Sequence, residues 1–309
     1  MELGRYNLNL PVFLAPMAGV TDRAFRETVR SLGGKYTVTE MISDKALNCQ
    51  NSRTLHMLDI KGEPEPRIVQ LFGSDADNMA RAAKLAEALG ADVLDINMGC
   101  PTPKIVRNRE GSALLQDLSL ATEIAAAVVQ AVNLPVTVKI RLGWTRENII
   151  APELARRLES VGVCMITVHA RTREQFYSGK ADWEGIRSVK EVVNLPVIGN
   201  GDLTNPEQTR QMLVQTGCDG VMIGRGCLGN PWLIPQIQYY LKFNKLLPPP
   251  SLEERITVAL QHFERLLVYK GNRIGLNEMR KHAAWYIKGF KNAAALRNRI
   301  MQTHEVQEM

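Results

Sequence analysis

Along roughly the first 245 residues, short apolar runs alternate with alanine- and leucine-rich segments of helical periodicity. The runs cover residues 12–15, 36–39, 67–71, 92–96, 135–140, 164–168, 196–199 and 219–223; segments such as 80–89 and 120–132 separate them. A strand that returns through a helix re-enters a sheet in the same direction, so this alternation dictates parallel pairing. The repeat is visible in the letters: Val132-Asn133-Leu134-Pro135-Val136 recurs as Val193-Asn194-Leu195-Pro196-Val197, each opening a strand after a helix. Gly90, Gly162 and Gly217 stand just before strands, where a left-handed helix cap belongs. Eight units over about 240 residues fit a (β/α)8 barrel of the TIM type. A doubly wound open sheet is the alternative, but eight strands suffice to close a ring.

The pattern changes after Leu246-Leu247. Pro248-Pro249-Pro250 makes a stiff linker. Ser251 with Glu254 forms a capping box, and from there to about residue 300 the periodicity is helical. The expected domains are therefore a catalytic barrel over 1–245 and a small helical domain over 246–309, with the first ten residues covering the barrel's bottom. After Arg299 no further pattern is recognisable. Charge is unevenly spread along the chain as well. Between Arg255 and Arg299 stand ten Lys or Arg against two acids, a segment charge of +8 within a chain of net charge +6. A basic module on a near-neutral body points to a polyanionic partner, although a merely solvated helix face is the commoner fate of such runs. Lys281, Lys288 and Lys291 are spaced by seven and three, so on one helix they would share a face.

Five cysteines with no CxxC pair argue against disulfides or a zinc knuckle and for a reducing cytoplasm. Pro11 and Pro16 interrupt the apolar stretch near the N-terminus, so no signal peptide is expected, and no run approaches the roughly 18 residues a membrane helix needs. No close His/Asp/Glu cluster has metal spacing, so no metal is expected. The expected state is a monomer.

Chemistry in such barrels collects at the C-terminal ends of the strands. Those ends carry Pro16 with Met17, Glu40, Gln70, Asn97 with Cys100, Lys139 with Arg141, His169 with Arg171, Asn200-Gly201-Asp202, and Gly224-Arg225. Each alone could be a structural hydrogen bond. A polar group on nearly every strand is hard to explain that way. The last two ends read as a phosphate site, with glycines admitting backbone N–H groups and Arg225 able to pair bidentately. Residues 224–229 also match GxGxxG. That match follows the last strand rather than the first, and 230–252 hold no acid, which excludes a Rossmann reading. Lys139 at the barrel mouth suits the electron-rich edge of a reduced flavin, and Gln70 suits its pyrimidine edge. Cys100 is lifted off a strand end onto a loop by Gly99 and Pro101. Its reactive and space-filling readings are evenly matched on spacing alone.

Ala15-Pro16-Met17-Ala18-Gly19-Val20-Thr21-Asp22, Asn97-Met98-Gly99-Cys100-Pro101, Lys139-Ile140-Arg141, His169-Ala170-Arg171-Thr172, Asn200-Gly201-Asp202 and Met222-Ile223-Gly224-Arg225-Gly226 together resemble the tRNA-dihydrouridine synthase family, in the form of its bacterial B-type members. The likeness covers the barrel, and the basic tail resembles that family's tRNA-binding domain. It implies FMN, NADPH as reductant, and reduction of the C5=C6 bond of specific tRNA uridines, in the D-loop. It places FMN contacts on Pro16, Met17, Ala18, Gln70, Lys139, His169, Asn200, Gly201, Asp202, Gly224 and Arg225. It places the general acid on Cys100, carried by a mobile loop. RNA contacts fall on Asn97, Lys104, Arg141 and Arg171, to which the tail adds Lys281, Lys288 and Lys291. Two rival functions share some of these features. A flavin barrel acting on a free small molecule, such as dihydroorotate or an enone, leaves the +8 tail unexplained. A non-catalytic RNA-binding module leaves the polar ring of strand ends unexplained.

Overall fold

The computed structural model describes residues 1–9 and 11–309. Eight parallel strands close into a barrel: β1 (Val12–Leu14), β2 (Tyr36–Ser43), β3 (Ile68–Phe72), β4 (Val93–Met98), β5 (Val136–Arg141), β6 (Met165–His169), β7 (Val197–Asn200) and β8 (Gly220–Ile223), with β8 pairing back onto β1. Each lies within a few residues of the run that predicted it. Gly90, Gly162 and Gly217 carry φ of 95°, 95° and 67°, as left-handed caps require. The expected barrel is thus confirmed, together with helices such as Ala76–Ala88 and Leu118–Ala131 on its outside. Their alanine faces (Ala82, Ala83, Ala86, Ala121, Ala125) are buried against the strands.

The N-terminal residues form a small hairpin, Glu2–Leu3 with Tyr6–Asn7. Its Leu3 and Leu8 pack with Phe13, Tyr36, Val38, Ile68, Val93, Met165, Ile198 and Met222. These are early residues of the strands, so the hairpin plugs the bottom of the barrel, as expected. The top is left to polar side chains.

One departure from regularity matters for the site. The register between β2 and β3 shifts between Val38 and Met41. At this bulge Thr39 Oγ1 accepts the Gln70 N–H at 3.0 Å in place of a ladder partner. Bulges of this kind re-aim side chains, and here Glu40 ends up bonded to the loop after β1.

The C-terminal residues are helical, opened by the Ser251/Glu254 capping box. The long helix Leu252–Tyr286 is broken at Gly271, where φ is 72° and ψ 169°. A Cβ on Gly275 would meet the Leu266 backbone at 3.0 Å. Residues nine apart on a straight helix stand about 13 Å from each other, so the chain doubles back into a helical hairpin. Its core (Val258, Phe263, Leu266, Leu276, Met279, Ala283, Tyr286) includes Ala24 of the barrel helix Arg23–Ser31, which ties the hairpin to the barrel. The expected shared face of three lysines is corrected here. Lys281 is helical, but Lys288 and Lys291 lie in the turn between Tyr286 and the next helix, Ala293–Gln302. Gly289, with φ of 87°, ends the regular geometry between them. No helix among the described residues is long and apolar enough to cross a membrane.

Two histidines sit inside this junction. His262 and His282 are buried, with ring centroids 4.5 Å apart, and each also packs on Phe25. Burial pushes His262 down to about 4 and His282 well below its ordinary value. The unfolded chain therefore binds more protons than the native one once pH falls below about 6.5. Stability should decline as pH drops from 6.5 toward 4, by up to about 1.4 kcal/mol per pH unit for each histidine. Thermal unfolding at pH 7 and pH 5 checks this. A His262→Gln/His282→Gln variant should show a much shallower acid dependence.

Candidate active site

The strand register builds the mouth. In the closed ladder Gln70 stands beside Asp95, Asn97 beside Lys139, Arg141 beside His169, and His169 beside Asn200. A polar chain runs through them. Thr137 donates to Asp95 Oδ1 at 2.6 Å, and Gln70 Nε2 donates to Asp95 Oδ2 at 2.6 Å. Asn97 Nδ2 donates to Gln70 Oε1 at 2.8 Å. Asn97 Oδ1 then accepts the N–H groups of Gly99 and Cys100 at 3.1 and 2.9 Å. A carboxylate deep in the barrel is thereby linked, one amide at a time, to the backbone of Cys100. Burial raises the Asp95 pKa, against the opposing bonds from Thr137 and Gln70.

The Cys100 loop is fastened on three sides. Asn97 holds it from below, Arg141 Nε donates to Gly99 O at 2.8 Å, and Ser112 N donates to Cys100 O at 3.0 Å. Gly111 must be glycine there, since a Cβ would stand 2.9 Å from Cys100 O. The mobile loop anticipated from sequence is instead a braced one. The thiol itself is half-exposed, and its hydrogen-bond partner is Thr102 Oγ1 at 3.3 Å.

Across the mouth, Lys139 Nζ donates to Asn200 Oδ1 at 3.3 Å. The same oxygen lies 2.7 Å from His169 Nδ1, while Asn200 Nδ2 donates to Met222 O at 2.7 Å. That last bond orients the amide, so His169 carries its proton on Nδ1 and leaves Nε2 as an acceptor. Among the described residues His169 Nε2 is buried without a partner. Burial, then the charges of Lys139 and Arg141, push His169 well below its ordinary pKa and keep it neutral. Burial and Arg141 likewise lower Lys139 to about 8.

A second cluster sits at the ends of β6 to β8. Arg171 Nη2 grips both oxygens of Asp202, at 2.8 and 2.7 Å. Ala181 N donates to Asp202 Oδ2 at 2.8 Å, and Arg225 reaches Oδ1 at 3.4 Å. Burial raises the Asp202 pKa, but the bonds from Arg171 and Ala181 outweigh it and hold the carboxyl below its ordinary range. Two guanidiniums and one carboxylate leave one positive charge. Arg171 Nη1 is buried with no partner among the described residues. Gly201 has no room for a side chain, because a Cβ would come within 2.7 Å of Ala181. A small anion fits such a cluster.

Residues 13–309 match the model of the family described as Dihydrouridine synthase. The chain belongs to the dihydrouridine synthase family. It is 44% identical over 301 residues to a "Probable tRNA-dihydrouridine synthase" of Rickettsia conorii, covering 97% of this chain and 91% of that one. It is 42% identical over 308 residues to the "tRNA-dihydrouridine synthase B" of Pseudomonas putida, covering 99% and 91%. Among solved structures it is similar to histamine dehydrogenase from Rhizobium sp. 4-9, with a TM-score of 0.55 at 16% identity. That match covers 74% of this chain and 45% of the dehydrogenase, and shows the barrel fold. Membership of the dihydrouridine synthase family makes the chain an oxidoreductase.

Within this dihydrouridine synthase barrel, the expected site residues divide. Lys139, His169 and Asn200 converge with Cys100 on one mouth, Asp202 with Arg225 stands on its flank, and Gln70 lies fully buried beneath, with both ends of its amide bonded to Asp95 and Asn97. Arg141 and Arg171, expected at RNA, are instead 3% and 1% exposed. Arg141 braces the Cys100 loop and donates to Thr172 O and Phe176 O at 2.9 and 2.8 Å. Asn97 is buried too, its amide spent on Gln70 and the loop. Lys104 is exposed. Asp202 supports Arg225 rather than offering a free carboxylate. Sequence reasoning passed over two residues. Asp95 had a signal, an acid between Leu94 and Ile96 in an apolar strand. Tyr177 had none. It is exposed, with Arg225 4.7 Å and Arg141 5.5 Å from its ring centre, and its edge approaches His169.

Proposed function

We propose that the chain reduces the C5=C6 bond of uridines in tRNA, in the D-loop, with FMN at the barrel mouth and NADPH as reductant. The carrying observation is the pairing of a braced cysteine with a cationic mouth whose buried polar atoms lack partners. Among the described residues His169 Nε2 and Arg171 Nη1 both lack a partner, and an isolated buried polar atom is costly. A phosphorylated ring with an electron-rich edge satisfies both, so the residues fit the cofactor. Pro16, Met17, Ala18, Gln70, Lys139, His169 and Asn200 would hold the ring, and Gly201, Asp202, Gly224 and Arg225 the phosphate, with Asp202 acting through the arginines.

When bound, FMN would supply the hydride that adds to C6 of the uracil. Cys100 completes the addition by giving its proton to C5, where charge has developed. The network from Asp95 to Asn97 holds the Cys100 backbone so that the thiol meets one face of the base. The uridine must leave its stack to enter the mouth, and the exposed ring of Tyr177 offers it a surface there. Residues 246–309 serve as the tRNA-binding domain, through exposed basic residues such as Lys288 and Lys291.

Two results check the reading. Heat-released cofactor should chromatograph as FMN, one per chain; FAD, or no flavin after reconstitution, contradicts it. Replacing Lys288 and Lys291 by Ala should weaken tRNA binding and flatten its salt dependence by roughly 0.7 to 0.9 per lost phosphate contact. FMN content should not change: Lys288 shares a cavity with Arg225, but neither lysine side chain hydrogen-bonds a residue assigned to the cofactor.

A further inference from the structure

The loop that leaves β1 is tied to the C-terminal helical hairpin. Its turn is closed internally: Met17 N donates to Thr21 Oγ1 at 2.8 Å, and Val20 N and Thr21 N donate to Met17 O at 3.0 Å. Gly19 stands at its tip with φ of 70°. The two sides of Gly19 are held by different parts of the molecule. Its N–H donates to the buried Glu40 carboxylate on the β2 bulge, and its carbonyl accepts from Lys281 Nζ on the hairpin. The far end of the loop is held similarly. Lys270 Nζ lies 2.5 Å from Asp22 Oδ2 and 2.5 Å from Glu278 Oε2, and Asp22 caps the helix Arg23–Ser31.

We propose that Lys281 is a positioning residue for the cofactor site: by holding the Gly19 carbonyl it sets the loop over residues 16–19. The hairpin then shapes the barrel mouth as well as the RNA surface. This rests on the reading of Pro16, Met17 and Ala18 as part of the flavin site. It also separates Lys281 from Lys288 and Lys291. The Gly19 carbonyl is neutral, so Lys281 keeps its charge, but the bond holds that charge at the loop after β1 rather than leaving it free to meet a phosphate.

The test uses the full chain with Lys281→Met, which keeps the stem and removes the donor, and Lys281→Arg, which restores one. Hydrogen exchange at residues 17–22 is measured without flavin, and FMN affinity by titration. The Met variant should exchange faster there and bind FMN roughly tenfold more weakly, the scale of one lost charged hydrogen bond. The Arg variant should recover most of both, and the tRNA salt slope should stay at its wild-type value in each. Wild-type exchange with a salt slope reduced by about one would overturn the proposal and make Lys281 a phosphate contact. Should the wild-type chain take up no FMN, the cofactor assignment fails by itself, and the exchange comparison still decides whether Lys281 holds the loop.

Discussion

Cys100→Ala should slow tRNA-dependent oxidation of the reduced protein by roughly 10² to 10⁴-fold, the usual worth of a general acid. Reduction by NADPH should proceed as before, because only proton donation to the substrate is removed. The structure makes this a clean substitution. The bonds that brace the loop come from Asn97, Arg141 and Ser112 and all end on backbone atoms of Gly99 or Cys100. Among the described residues the thiol itself bonds only Thr102 Oγ1, at the surface. Alanine therefore keeps the loop and loses the proton. Stopped-flow measurement of flavin absorbance separates the two half-reactions. An unchanged oxidation rate would remove Cys100 from the chemistry.

Lys139→Met should act in two directions. Lys139 is held at about 8 by burial and by Arg141. A lysine whose folded pKa is depressed costs stability below that value, and the cost is relieved as pH rises from about 8 to the ordinary lysine range. At pH 7 the flavin-free Met variant should therefore unfold at a higher temperature than the wild type. Its catalysis should suffer, by roughly 10² to 10³-fold, since a preorganised charge facing developing negative charge is lost. Trading stability for function in this way is common at active sites. Calorimetry without flavin and single-turnover rates with it check both arms. A less stable variant with an unimpaired rate would show that Lys139 is structural.

Much of the barrel was legible because its strands are short, apolar and separated by helices with buried alanine faces. Periodicity carries that information directly, and the strand ends named most of the mouth. Features set by tertiary contact were not legible. The bulge that turns Glu40 toward Gly19 leaves no mark in the letters of β2. Gly271 reads as one more residue of a helical run, yet a positive φ there folds the segment back on itself. Arg141 and Arg171 look in sequence like free cations for RNA. Their burial depends on carbonyls at Gly99, Thr172 and Ser178 and on Asp202, which only the folded chain brings near. Lys288 and Lys291 fit a helical spacing that the turn after Tyr286 interrupts.

The same distinction bears on substrate. The barrel mouth alone would serve a flavin enzyme acting on a small molecule. What sets this chain apart is the basic C-terminal segment, whose hairpin packs through Ala24 and Lys281 onto the barrel. The deciding measurement is mass spectrometry after incubation with NADPH and either unmodified tRNA or free uridine. The proposed function predicts that a defined uridine of the tRNA gains two hydrogens while free uridine stays unchanged. Unaltered tRNA beside rapid reduction of free uridine or another small enone would contradict it.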